Sequence, residues 1–174
     1  MAINFLVCKE KASLPSSVSQ EKKSTSSTLT DTIQASTDLT QVDYNLSIAT
    51  MDGTNVDFSQ FKGKTIFLNF WATWCGPCLD ELPSIQRLYD KTKDNPDLVM
   101  LAVSWEKPEN VISFLKKKTY TFPFYMLTKP APKCYWGGGI PNTYIISPEG
   151  KFLKHHLGSA EWDKEPLLNS FNSD

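Results

Sequence analysis

Phe70-Trp71-Ala72-Thr73-Trp74-Cys75-Gly76-Pro77-Cys78 decides how the rest of this 174-residue sequence is read. It closes Thr65 to Trp71, a nearly continuous apolar, aromatic and β-branched run with the pattern of a strand covered on both faces. Beyond Cys75, Leu79, Leu82, Ile85, Leu88 and Tyr89 keep one helical face apolar to about Lys91. Cys75 therefore falls at a helix N-terminus, where unpaired N–H groups and the dipole favour an anion. A thiolate there has a lowered pKa and can attack a disulfide sulfur, and Cys78, one turn inside, is placed to resolve the mixed disulfide. Pro77 suits the first turn, where its missing N–H is not needed, whereas Pro83 is expected to kink the helix.

Working outward, Tyr44 to Ala49 and Val56 to Phe58 read as a hairpin turning at Asp52-Gly53. After the helix come Leu98 to Val103 as a second buried strand and Pro108 to Lys118 as a helix with Val111, Ile112, Phe114 and Leu115 inward. Phe124 to Leu127 follows as a short strand. Asn142 to Ile146 and Phe152 to His156 pair through the turn Ser147-Pro148-Glu149-Gly150, and a final helix is expected from Glu161 to Phe171. Parallel βαβ units followed by an antiparallel hairpin and a closing helix give an α/β sandwich with a mixed sheet.

Residues 9–41 contain 14 Ser or Thr in 33 positions and no aromatic residue or Gly. Such a segment buries too little surface to offset its ordering entropy, so residues 1–41 are expected to be a flexible leader or tether and 42–174 the folded domain. The 18 basic against 19 acidic side chains leave a net charge of -1, which supplies no field for gathering nucleic acid. No apolar run approaches the roughly 20 residues of a membrane span. Four cysteines, at 8, 75, 78 and 134, are too few for a disulfide-stapled secreted framework. A C-x-x-C pair is also half of a zinc site, but no second C-x-x-C or H-x-x-x-H occurs. His155 and His156 are adjacent, so on a strand they point to opposite faces.

The Trp-flanked Cys-Gly-Pro-Cys together with the later Gly139-Ile140-Pro141 resembles the thioredoxin superfamily over 42–171. Four further features resemble its TlpA/ResA-like branch of thiol-disulfide reductases of bacterial envelopes. These are the hairpin ending in Phe58-Ser59-Gln60-Phe61-Lys62-Gly63-Lys64, Glu81-Leu82-Pro83, the additional βα segment from Leu98 to Lys118, and Ser147-Pro148-Glu149-Gly150-Lys151. The resemblance implies a thioredoxin-like three-layer sandwich with a mixed central sheet, an N-terminal hairpin and an inserted βα segment. It also implies a cis peptide bond before Pro141 and a substrate face formed by Trp74, Gly76, Pro77, Ile140 and Pro141. Small thioredoxins carry a buried Asp where this chain has Asn69, which cannot exchange protons. Glu81, three residues after Cys78 on the same helix face, is the acid that the branch places there. Its functional reading, as acceptor of the resolving thiol's proton, is preferred to that of a solvated helix side chain.

The function expected is protein-disulfide reduction through Cys75, Cys78 and Glu81, without a cofactor. By resemblance it acts on envelope proteins such as apocytochromes and is recharged by an upstream thiol protein. The chain is expected to be a monomer in the cell envelope or periplasm, tethered through a segment preceding the written start, or cytoplasmic if that start is the true one. The competing class is a copper or zinc carrier using Cys75, Cys78 and one of the two His. A peroxidatic reading needs an Arg beside the thiolate, and Arg87 is the only Arg. Cys134 reads as a small half-buried residue rather than a third redox thiol. Cys8, behind the short run Phe5-Leu6-Val7, is not assigned as a lipid anchor. Tyr135-Trp136-Gly137-Gly138-Gly139 reads as a partner contact or a plain turn. Lys116-Lys117-Lys118 reads as a solvated helix end.

Overall fold

The computed structural model describes residues 41–135 and 137–164. Its strands are β1 (Ser47–Ala49), β2 (Asn55–Asp57), β3 (Thr65–Phe70), β4 (Leu98–Ser104), β5 (Phe124–Leu127), β6 (Asn142–Ile146) and β7 (Phe152–Leu157). The helices are α1 (Gly76–Thr92) and α2 (Pro108–Leu115). The strands form one mixed sheet in the order β2-β1-β5-β4-β3-β6-β7. The apolar run at 65–70 lies inside it, parallel to β4 and antiparallel to β6. The N-terminal hairpin joins the sheet through β1, which runs antiparallel to β5.

Alternation along β3 divides the core. Phe67 faces a cluster with Leu82, Ile85 and Leu88 of α1 and Val111 of α2, while Ile66, Leu68 and Phe70 face a second cluster with Phe58, Tyr135 and Tyr144. Among the described residues both helices thus cover one face. The other is closed by the hairpin and the 3-10 turns at Phe58–Phe61 and Lys133–Tyr135. Phe58 consequently belongs to a turn, capped by the Asp57 carboxylate that accepts from Ser59 N–H, and not to the returning strand. The sharp β6–β7 connection needs Gly150, whose φ of 76° is left-handed, and its N–H donates to the Ser147 carbonyl at 2.9 Å.

Several boundaries differ from the sequence reading. The α1 helix extends to Thr92, and Pro83 lies inside it without ending it. At the end of α2 the N–H groups of Lys117 and Lys118 bond to the carbonyls of Phe114 and Leu115, three residues back, so the α-helix stops at Leu115. Trp162 to Lys164 form a turn rather than a helix start, and the Trp162 backbone N–H donates to the Ser84 hydroxyl at 3.1 Å. The rest of that expected helix, residues 1–40 of the expected 1–41 leader with Cys8, and Trp136 lie outside the described residues, while Gln41 forms a bridge with Lys151.

Candidate active site

The chain leaves β3 at Phe70 and enters α1 through a short loop in which every side chain has a distinct place. Trp71 and Ala72 are fully buried, so Trp71 is a core residue, while Trp74 is 67% exposed beside Cys75. Trp71 N–H bonds the carbonyl of Val103 at 3.1 Å, which ties the loop to β4. Thr73 is held by a residue that local sequence gives no reason to select. The Glu106 carboxylate, just after β4, accepts from Thr73 N–H at 2.6 Å and from its hydroxyl at 2.8 Å.

Cys75 is the N-cap of α1, and its Sγ accepts the Cys78 N–H at 3.2 Å. A sulfur in this position meets the positive end of the helix dipole. Cys75 and Cys78 are joined in a disulfide. Cys75 keeps 6% of its surface and Cys78 none, so an incoming group reaches Cys75 first. Gly76 and Pro77 are exposed between them. The Ile140–Pro141 peptide bond is cis, and the half-buried Ile140 packs against both core clusters, including the one that holds the cysteines.

Glu81, one turn beyond Cys78, is 1% exposed and therefore not a solvated helix side chain. Its Oε1 accepts from Asn69 Nδ2 at 2.8 Å, and its Oε2 accepts from Trp162 Nε1 at 2.8 Å and from Ala160 N–H at 3.2 Å. Burial pushes its carboxyl up from the usual range, and the Trp162, Asn69 and Ala160 donors pull it back. Asn69 also donates to Thr143 Oγ1 at 2.8 Å, which locks β3, β6 and α1 together at this point. Sequence reasoning singled out Asn69 and Glu81 separately but not their contact. Nor did it find Trp162, which reaches Glu81 across 81 positions with no local signal.

The remaining sequence-picked residues lie apart from this centre. Cys134 is half-buried in a 3-10 turn against the second core cluster. Tyr135 is a core residue whose hydroxyl donates to the Asp43 carbonyl at 2.7 Å. His155 stacks on Tyr144 at 4.6 Å with Nε2 2.7 Å from Asn142 Oδ1, while His156 meets the edge of Trp162, so the two do face opposite ways. Arg87 pairs with Asp163 and Glu161. Lys116, Lys117 and Lys118 are exposed. Among the described residues no three of His, Cys, Asp and Glu converge as metal ligands.

A mixed sheet that presents a C-x-x-C pair at the N-terminus of an amphipathic helix, with a cis-proline before β6, defines a thioredoxin-fold dithiol–disulfide oxidoreductase. The Redoxin family pattern matches residues 28–166, and the chain belongs to that family. It is 32% identical over 125 residues to the thiol-disulfide oxidoreductase ResA of Bacillus thuringiensis subsp. konkukian, covering 71% of this chain and 70% of that protein. Its fold matches a thiol-disulfide oxidoreductase from Bacteroides fragilis with a TM-score of 0.58 and 26% identity, over 66% of this chain and 88% of the other. StoA from Bacillus subtilis matches with a TM-score of 0.55 and 26% identity, over 68% and 92%.

Proposed function

We propose that the protein reduces disulfides of other proteins, with Cys75 as nucleophile, Cys78 as resolving thiol and Glu81 as the proton acceptor. The observation that carries this reading is the gradient of access along one helix turn. Cys75 keeps some exposure at the N-cap, Cys78 has none, and a buried acid follows on the same helix.

In the reduced protein the Cys75 thiolate attacks one sulfur of the substrate disulfide and expels the other as a thiolate, forming a mixed disulfide. Glu81 takes the proton of Cys78, whose thiolate then attacks Cys75 Sγ. The second substrate thiolate leaves, and the two electrons have passed to the substrate as the Cys75–Cys78 bond forms. An upstream dithiol protein returns the pair to the reduced state by the same exchange run backwards. Trp74, Gly76, Pro77, Ile140 and Pro141 form the substrate face on this reading, and an extended substrate segment lies along Ile140. On this reading residues 1–41 are the tether and 42–174 the catalytic domain, working as a monomer in the cell envelope. The ResA likeness and the Ser/Thr-rich leader support that placement.

The test is the reduction potential of the Cys75/Cys78 couple in glutathione or dithiothreitol buffers, with trapping by Cys78→Ser. A potential near thioredoxin's, about -270 mV, and a stable mixed disulfide on Cys75 are expected. A value near about -120 mV overturns the direction, and no reversible couple overturns the function.

A further inference from the structure

Two of the three hydrogen bonds that hold Glu81 come from neither its own helix nor the sheet. They come from Ala160–Asp163, the stretch that follows β7 and crosses α1. This strap is fastened along the helix. The Ser84 hydroxyl accepts the Trp162 backbone N–H at 3.1 Å and donates to the Ala160 carbonyl at 3.2 Å. Arg87 binds Asp163 at 2.8 Å and Glu161 at 2.9 Å, and Lys91 Nζ donates to the Asp163 carbonyl at 3.0 Å. The Trp162 ring is 1% exposed, meets Phe67 edge-on at 5.2 Å and lies 5.5 Å from the Lys154 ammonium and from the His156 ring.

Filling this space needs only an apolar ring. What tryptophan adds is a group that donates and cannot accept. An N–H aimed at Oε2 rewards a carboxylate and competes with a carboxylic acid's own O–H, and hydrogen bonds to the charged form favour it. The other groups around the carboxylate are the neutral Asn69 and Thr143 from β3 and β6. Among the described residues, no cation stands within ion-pair distance of Glu81; Lys154 lies over the Trp162 ring, Arg87, Lys91 and Glu161 are exposed, and the half-buried Asp163 is paired with Arg87. The donors, and not a counter-ion, are therefore what oppose the burial of this acid.

We propose that Trp162 is a positioning residue of the redox centre: its indole N–H, delivered by the Ala160–Asp163 strap, holds Glu81 as a carboxylate one turn from Cys78 and so sets the pH at which the resolving thiol can give up its proton. The proposal rests on Glu81 being the proton acceptor of the exchange.

The test compares the pH profile of disulfide exchange for the full chain, Trp162→Phe, Glu81→Gln and the double variant, using oxidised glutathione as the probe. Trp162→Phe keeps the ring contact on Phe67 and removes the donor. Its profile should move to higher pH by on the order of one unit, and in the Glu81→Gln background the same change should move nothing. A profile that only drops in height, or a shift that persists without Glu81, assigns Trp162 a purely structural part and overturns the proposal. If Glu81→Gln leaves the wild-type profile unchanged, the Glu81 reading itself fails and takes this proposal with it; if only Trp162→Phe is silent, the Glu81 reading stands. The unmutated protein gives a second readout should Trp162→Phe not fold. The indole N–H resonance of Trp162 should titrate with the same midpoint as the profile and be flat in Glu81→Gln, and an indole signal that ignores pH in the wild type overturns the proposal.

Discussion

Asn69 and Glu81 meet through a buried hydrogen bond of 2.8 Å, and that contact gives position 69 a reason not to be acidic. An Asp there would set a second carboxyl against the first, and two such groups cannot both ionise cheaply. Asn69→Asp should make the pair share a proton and lower stability on the order of 2 kcal/mol near neutral pH, with recovery in acid. Denaturant midpoints on both sides of the carboxylate range would check this. Glu81 makes its own prediction through the sign of its shift. Burial raises its native pKa above the unfolded value, so the folded state binds the proton more tightly. That contribution is fully present below the ordinary carboxylate range and is lost as pH rises through the raised native value. Stability curves of wild type and Glu81→Gln should therefore diverge as pH rises through that window, the wild type losing ground. Parallel curves would refute the assignment of the shift to burial.

The active-site loop is held from outside by an element that the cysteine motif does not announce. Glu106 stands at the exit of β4, one strand over from β3. It clamps both the N–H and the hydroxyl of Thr73, two residues before Cys75, and receives the Ser104 hydroxyl at 3.3 Å. Glu106→Ala leaves the Thr73 N–H without its charged acceptor and should cost about 1–3 kcal/mol. A lowered thermal midpoint together with faster alkylation of reduced Cys75 is the expected result, since the loop that presents the sulfur is released. An unchanged midpoint would mean that the backbone bonds from Trp71 to Val103 and from Cys75 to Ala72 suffice by themselves. The α1 helix shows the complementary case, in which the sequence was explicit. The Cys75 cap, Pro77 in the first turn and the Leu82, Ile85, Leu88 stripe all point to the same element.

At the scale of the molecule, the interior strands β4, β3 and β6 are each paired on both sides, while β2 and β7 are edges. Amide hydrogen exchange should be slowest at Phe67, Leu68, Leu101, Ala102 and Tyr144 and fastest along β2 and β7. Equal protection of β2 and β3 would contradict the strand order. The Ala160–Asp163 strap belongs to this scale too, because it returns from the far edge of the sheet to α1 and closes over Glu81. Loosening it with Arg87→Gln should lower the denaturant midpoint only slightly, because Arg87 and Glu161 are about half exposed and such pairs contribute little.

The βαβ order, the placement of Cys75 at a helix start and the β6–β7 hairpin were legible in the sequence alone, whereas Glu81 was singled out by the family resemblance. The first three rest on near-neighbour physics, that is, periodicity of two or 3.6, capping, and turn residues that impose a backbone conformation. Only the tertiary structure decided that Glu81 is fully buried, that Asn69, Trp162 and Ala160 hold it, that Glu106 clamps Thr73, and that Trp162 to Lys164 turn instead of beginning a helix. Those outcomes join residues 12 to 81 positions apart. At that separation the partner of a buried polar group is chosen by which strands lie side by side, and no local pattern in a single chain records that choice.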